Sequence, residues 1–322
     1  MFFGLIPNPV VFLVGIVLDG ILGDPDWLPH PVRGFGFLIE WFDRWREGHG
    51  NPFMWGSVLG IGLPVLIAVG VGLVVIGCSY IHVWFGHVVG AYLIWTSVSF
   101  RNLLTEVQQV LDSLEEHHLQ KARVQLNKLV GRDTKQLDRS EMSTALVETT
   151  AEGYLDGVLS PCFWYMVGGP LGMVIFKTVN TMDSMVGYRD DKYREFGTVP
   201  ARLDDVMNWL PARLSVVVIT VSSYVSQVGG YETWRVGWQD RLNHLSPNAA
   251  HPEACFSGGL GVTLGGTNTY EGRTVKKPMI NEKGAPATPA TVKKGMRLYV
   301  YSVLMLYGSI TIILILGRFF GG

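Results

Sequence analysis

Residues Gly56–Gly77 read "GSVLGIGLPVLIAVGVGLVVIG", 22 positions without one charged side chain. At about 1.5 Å of rise per residue, a helix of that length crosses the roughly 30 Å hydrocarbon core of a bilayer. Buried helices of soluble domains rarely exclude charge for so long. Leu298–Gly317, "LYVYSVLMLYGSITIILILG", reads the same way, and so does Ser79–Ser99, softened by His82 and His87. The expected fold is an all-α, polytopic integral membrane protein.

Composition agrees. The chain has 322 residues, 48% hydrophobic and 16% charged, against about 25% charged in an ordinary soluble domain. A net charge of −1 gives no reason to expect nucleic acid as a partner; the bilayer is the partner that composition implies. Cys78, Cys162 and Cys255 form no CxxC pair, which argues against a disulfide framework or a zinc knuckle. Gly4–Leu18 lacks the basic region and small-residue cleavage site of a signal peptide, so it reads as a retained first segment.

Membrane segments are expected at about 4–21, 56–77, 79–99, 158–176, 209–228 and 298–317, five to six in all, with polar stretches at 22–55, 100–157, 177–208 and 229–297. Two segments are compromised. Val158–Phe176 contains Pro161, Gly168, Gly169 and Pro170, and Trp209–Val228 opens with Pro211 and Arg213. Broken segments survive in a membrane only where protein or a water-filled cavity satisfies the freed backbone, and in transporters they mark binding sites.

Lys and Arg number three, seven, five and nine in the four polar stretches, and none occurs in the first 32 residues. The positive-inside rule then places these stretches in the cytoplasm. A full crossing at 158–176 would put 177–208 on the opposite side, so that segment is expected to dip and return, or to pack within the bundle. Residues 101–130 read as one long amphipathic helix with Leu103, Val107, Val110, Leu114, Leu126 and Leu129 as its stripe.

Four clusters have the residue types that chemistry needs. Glu148, Glu152 and Asp156 recur at i, i+4 and i+8, which on a helix puts three repelling carboxylates on one face. That arrangement suits a cation or a basic ligand. A solvated acidic stripe is the plainer reading, but this stripe leads directly into a broken membrane segment. The second cluster, "NTMDSMVGYRDDKYREFGTVPARLDD" (180–205), sits between two apolar segments. Asp183, Asp204 and Asp205 are candidate Mg²⁺ ligands, because hard oxygen donors suit a metal that arrives with phosphates. Lys177, Arg189, Arg202 and Arg213 are candidate phosphate or carboxylate contacts; a charge-paired juxtamembrane loop is the alternative. Third, "HLSPNAAHPEACFSGGLGVTLGG" (244–266) joins His244, Asn248, His251 and Glu253 to a Gly-rich run whose amides could cradle phosphate. Fourth, residues 19–40 combine Asp24, His30 and Arg33 with turn residues. No P-loop, GxGxxG, HExxH or GxSxG motif is present, so any ATP use relies on a site outside the common motifs.

These clusters together resemble one family, the adenosylcobinamide-phosphate synthases, or CobD/CbiB membrane proteins of cobalamin biosynthesis. The strings carrying the likeness are "LGDPDWLPHPVRGFG", "RNLLTEVQQV", "LVGRDTKQLDRSEMSTALVETTAEGYLDGV", "KTVNTMDSMVGYRDDKYREFG", "ARLDDVMNWLPARL" and "HLSPNAAHPEA", ordered from residue 19 to about 280. The sequence departs from the family pattern at Gly153 and at Ala250-His251.

The resemblance implies a single membrane-embedded catalytic domain over 1–322 that binds a corrinoid and an amino-alcohol phosphate. It also implies ATP-dependent amide-bond formation between adenosylcobyric acid and aminopropanol phosphate or a similar amine, with ATP and Mg²⁺ required. On it, Glu152, Asp156, Lys177, Arg202 and His244 take catalytic roles. Asp24, His30, Arg33, Asn180, Tyr188, Arg213, Asn248 and Glu253 bind substrate, and Asp183, Asp204 and Asp205 hold metal. The implied setting is the cell membrane, multi-pass, with the site facing the cytoplasm and a homo-oligomer possible. A polytopic corrinoid transporter or non-catalytic corrinoid-binding protein is the rival reading, and a scaffold for a pathway complex the blandest.

Overall fold

The computed structural model describes residues 5–25, 27–48, 50–188, 191–270 and 272–320. Arg189, one of the candidate contacts, lies outside the described residues. The chain divides into two compact units. One comprises residues up to Ser99, Asp156–Asn208 and Gly308 onward; the other comprises Phe100–Leu155 and Trp209–Tyr307.

Five helical runs are long and apolar enough to cross a membrane: Pro52–Ile81, Val83–Glu115, Arg139–Val186, Thr198–Val225 and Pro289–Phe320. The chain is a multi-pass, helical membrane protein, as its composition implies.

In the first unit, α1 (Pro9–Leu22) starts where the Asn8 side chain accepts from the Val10 amide at 3.0 Å, with Pro9 in the first turn. Its 14 residues fall short of a full span. α2 (Pro31–Arg46) follows, and α3 (Pro52–Ile81) is capped in the same way by Asn51, ending at the extended residue His82. α4 (Val83–Ser97) packs on α1 and α3. α3 turns Leu59 and Leu63 onto Ile39, Val179, Met182, Val186 and Phe196, while Ile61, Val65, Leu66, Val69 and Leu73 remain exposed to face lipid. Gly56 permits a close approach in this core: a Cβ there would collide with the Phe196 carbonyl.

α8 (Ser160–Val186) is broken as its Gly and Pro content predicts. Gly168 (φ −132°) and Gly169 (φ +62°) leave helical geometry just before Pro170. Gly169 is required there twice over, by its left-handed φ and because a Cβ would strike the Leu5 carbonyl. The helix then runs ten residues beyond Phe176, so much of the expected polar loop 177–208 is helical, and α9 (Thr198–Val225) begins well before residue 209.

In the second unit, the expected single helix over 101–130 is two, α5 (Phe100–Glu115) and α6 (Leu119–Leu126). The chain breaks at His117, whose φ is +60°. Val107, Val110, Leu114 and Leu126 are buried as the stripe predicts. α7 (Arg139–Tyr154) starts with a full capping box between Asp138 and Glu141, and one π turn (Leu155–Leu159) follows it. α10 (Tyr231–Gln239) packs on α11 (Ala250–Leu260), and α12 (Pro289–Phe320) closes the chain.

Between α11 and α12 stands a single antiparallel hairpin, β1 (Leu264–Tyr270) with β2 (Arg273–Ile280), a small addition to the helical fold. Its register shifts between Leu264 and Gly266. Gly265 and Gly266 hold φ of +82° and +88° at that shift, a conformation that glycine adopts without strain.

Candidate functional site

Each unit carries a polar cluster that gathers several of the candidate residues. In the first, helices α8 and α9 and the π turn bring their polar side chains together. Asn208 Nδ2 donates to Asp156 Oδ1 at 3.1 Å and to Asp204 Oδ2 at 2.9 Å. Asp204 Oδ1 accepts from Asn180 at 3.3 Å, and Ser160 Oγ bonds Asn208 Oδ1 at 2.5 Å. Asn180, Asp204, Asn208 and Ser160 are all buried. One amide thus clamps two carboxylates, which the like charges alone would push apart. In the same unit, His30 Nε2 lies 3.2 Å from Asp24 Oδ1.

Lys177 is the cation of this cluster. Its charge acts with those of Asp156, Asp24 and Asp204. Lys177 is half-buried, and among the described residues it makes no direct ion pair with these three carboxylates, whose charges act on it at longer range. A lysine so placed keeps donors for an arriving anion.

The other first-unit candidates are placed less centrally. Asp183 lies three residues beyond Asn180 on α8, and Asp205 adjoins Asp204 on α9; both are half-buried. Arg33, Arg202 and Tyr188 are exposed, the Tyr188 ring centroid standing 6.4 Å from that of Tyr193. Among the described residues no group of three or more His, Cys, Asp or Glu could hold a metal ion, so Asp183, Asp204 and Asp205 do not form a closed cage.

In the second unit the cluster gathers on α7, α11 and the hairpin. Glu148 is buried and bonds Arg132 in a short, direct ion pair, while Arg132 also donates to Asn268 Oδ1 at 2.8 Å. The second Glu148 oxygen accepts the Gly265 amide at 2.8 Å. The Gly-rich run therefore offers that amide to a protein carboxylate. Glu253 is buried, with Glu148, Glu152 and Lys277 as its charged neighbours.

Burial first, then the Glu148 and Glu152 charges, pushes the Glu253 carboxyl well above the usual range. Burial would pull Lys277 down, but Glu253, Glu148 and Glu152 outweigh it and hold the ammonium charged. His244 is lowered to about 4 by burial and by Lys277, and is neutral at pH 7. The Ser246 amide donates to its Nδ1 at 3.0 Å, which leaves the proton on Nε2, the nitrogen facing Glu253 at 4.0 Å.

A smaller group lies nearby on the chain. Arg213 donates to Asn248 Oδ1 at 3.4 Å and stacks 4.2 Å over the Trp209 ring, while His251 Nδ1 bonds the Asn248 carbonyl at 3.2 Å.

The expected stripe of Glu148, Glu152 and Asp156 is therefore divided. Glu148 and Glu152 join the hairpin cluster, whereas Asp156, inside the π turn, bonds Asn208. Sequence reasoning missed Asn208, Ser160, Arg132, Asn268 and Lys277. Only Asn208 had a legible signal, its i+4 spacing from Asp204 on a helix.

A helical membrane protein with polar, charge-bearing clusters in both units fits a membrane enzyme or a carrier rather than an inert anchor. The CobD/Cbib protein family profile matches residues 12–299, and the chain belongs to that family. It is 40% identical over 312 residues to the cobalamin biosynthesis protein CbiB of Salmonella choleraesuis (strain SC-B67), covering 92% of this chain and 95% of that one. With the cobalamin biosynthesis protein CobD of Listeria monocytogenes serotype 4b (strain F2365) it shares 37% over 307 residues, covering 92% and 96%. No solved structure matches the chain.

Proposed function

We propose that this protein acts in cobalamin biosynthesis, joining the propionate carboxylate of adenosylcobyric acid to the amine of aminopropanol phosphate or a similar amino-alcohol phosphate. Family membership supports the pathway. The observation that supports the chemistry is Lys177, held among Asp24, Asp156 and Asp204 in an apolar helical unit and still able to donate.

A carboxylate is a poor acyl donor. ATP converts it to an acyl phosphate with ADP leaving; the amine then attacks the acyl carbon, and inorganic phosphate departs as the amide forms. Lys177 steadies negative charge on the phosphate being transferred. The Asn208 clamp keeps Asp156 and Asp204 in fixed positions around it. Those two carboxylates would hold Mg²⁺, which needs only one or two protein carboxylates when phosphates complete its shell; the ion supplies charge neutralisation when bound.

The attacking amine must shed a proton. A site using ATP faces the cytoplasm, in keeping with the basic polar stretches.

The test uses purified protein in detergent with ATP, Mg²⁺, adenosylcobyric acid and aminopropanol phosphate, followed by mass spectrometry of the amide and assay of ADP. Amide and ADP in equal amounts from wild type, and neither from Lys177→Met, is the expected result. Corrinoid binding by wild type without amide or ADP would replace the synthase with a carrier.

A further inference from the structure

α2 has two faces. Phe35, Ile39, Asp43 and Arg46 are buried, whereas Phe37, Trp41 and Trp45, spaced i, i+4 and i+8, are 63%, 55% and 43% exposed. Five residues, 47–51, separate the end of α2 from the start of α3, a 30-residue apolar helix. Chain connectivity therefore puts the C-terminal end of α2 at a membrane boundary, where amphipathic aromatic side chains collect.

A cavity of about 350 Å³ opens at that end, lined among the described residues by Arg46, Glu47, Gly48, Gly50, Pro52 and Lys192. Its polar walls are built rather than incidental. The Arg46 side chain is 8% exposed, donates through Nε and Nη2 to Asp43 Oδ1 at 3.0 and 2.7 Å, and lies 3.9 Å from the Phe196 ring centroid. Lys192 Nζ reaches Asp43 Oδ2 at 2.9 Å and Glu47 Oε1 at 3.3 Å.

Burial would raise the Asp43 carboxyl, but bonds from Lys192, Arg46 and Tyr193 bring it below the usual range, so it is ionised. Two cations are thus balanced by two carboxylates. Gly48 and Gly50 hold φ of +81° and +63°, and a Cβ on Gly50 would lie 3.4 Å from Trp55 Nε1. That indole N–H is buried and lacks a hydrogen-bond partner among the described residues. It is a donor beside the cavity with no acceptor among the described residues.

We propose that this cavity is a headgroup site for a zwitterionic phospholipid of the surrounding membrane. The phosphodiester lies against Lys192, Arg46 and the Trp55 N–H, the headgroup amine lies against Glu47, and the acyl chains run along Phe37, Trp41 and Trp45. The balanced charge selects a headgroup carrying both signs, and the exposed aromatic stripe selects a ligand with chains over a soluble phosphate ester.

The delipidated full-length protein in detergent tests this by native mass spectrometry against phosphatidylethanolamine, phosphatidylglycerol and the chain-free glycerophosphoethanolamine. Wild type should retain one phosphatidylethanolamine in preference to phosphatidylglycerol. Lys192→Glu should weaken it about fivefold or more, the loss expected from removing one interfacial cation. Trp41→Ser, on the exposed stripe, should weaken it too, and circular dichroism checks that both variants fold. Equal retention by wild type and both variants would overturn the site. Equal binding of phosphatidylglycerol would overturn the zwitterionic headgroup, and displacement by an equal concentration of glycerophosphoethanolamine would overturn the lipid.

Discussion

The two polar clusters handle buried charge in opposite ways. Around Arg132 and Glu148 the two charges are spent on each other and on near neighbours: the ion pair is direct, Asn268 Oδ1 accepts a further guanidinium N–H, and the Gly265 amide donates to the second carboxylate oxygen. Around Lys177 the carboxylates are organised, by Asn208, but the ammonium is not spent on any of them. A closed network fixes the hairpin against α7; an open one keeps donors for a ligand. Both cost desolvation, and only the closed one recovers it within the protein. Charge in a buried place is thus no guide to function until its partners are counted.

The comparison breaks most readily at the closed pair. Arg132→Met leaves Glu148 buried and unpaired, and should cost about 3–5 kcal/mol of stability, read as a lower melting temperature in detergent. If Arg132→Met melts like wild type, the closed network is not structural. Lys177→Met should do the reverse, lowering amide formation about a hundredfold or more, in line with loss of one charge-stabilising group, while melting stays near wild type. An equal loss of stability in both variants would erase the distinction.

Asn208→Ala should sit between them. It removes the amide donor that Asp156 and Asp204 share, at about 1–3 kcal/mol, and should lower activity together with stability. The smallest effect concerns His251, lowered to about 4 by burial and by Arg213. The folded state keeps it neutral while the unfolded chain protonates near 6.5, so stability is full above that pH and is lost as pH falls from 6.5 towards 4. His251→Gln should remove on the order of 1 kcal/mol of that decline at pH 5, measured by melting at pH 7 and pH 5.

What the sequence reveals follows from how far apart the interacting residues lie. The charge-free runs declare α3 and α12, and Gly168, Gly169 and Pro170 declare the break in α8, because each signal is local. The hairpin escaped notice because "LGGTNTY" and "RTVKKPMI" lack clean apolar alternation and Gly265 and Gly266 read as loop. The split at His117 escaped because the apolar stripe continues across it in register. The π turn left no trace in the residue types, so Asp156 was grouped with Glu148 and Glu152. The Lys177, Asn180 and Asp204 neighbourhood was legible as a dense polar island between apolar segments. Arg132 and Lys277 were not, since their cluster is defined by partners far along the chain: Arg132 bonds Asn268, 136 positions away, and Gly265 bonds Glu148, 117 positions away.

The break in α8 has a consequence for how the chain is made. α1 has 14 residues, about 21 Å of helix, short of the roughly 30 Å of a bilayer core. Its start is held by Tyr165, which exchanges hydrogen bonds with the Asn8 backbone at 2.9 and 3.0 Å, and by Gly169, which makes room for Leu5. Those partners leave the ribosome more than 150 residues later. The start of the first apolar helix is thus seated by contacts that exist only once α8 has been made.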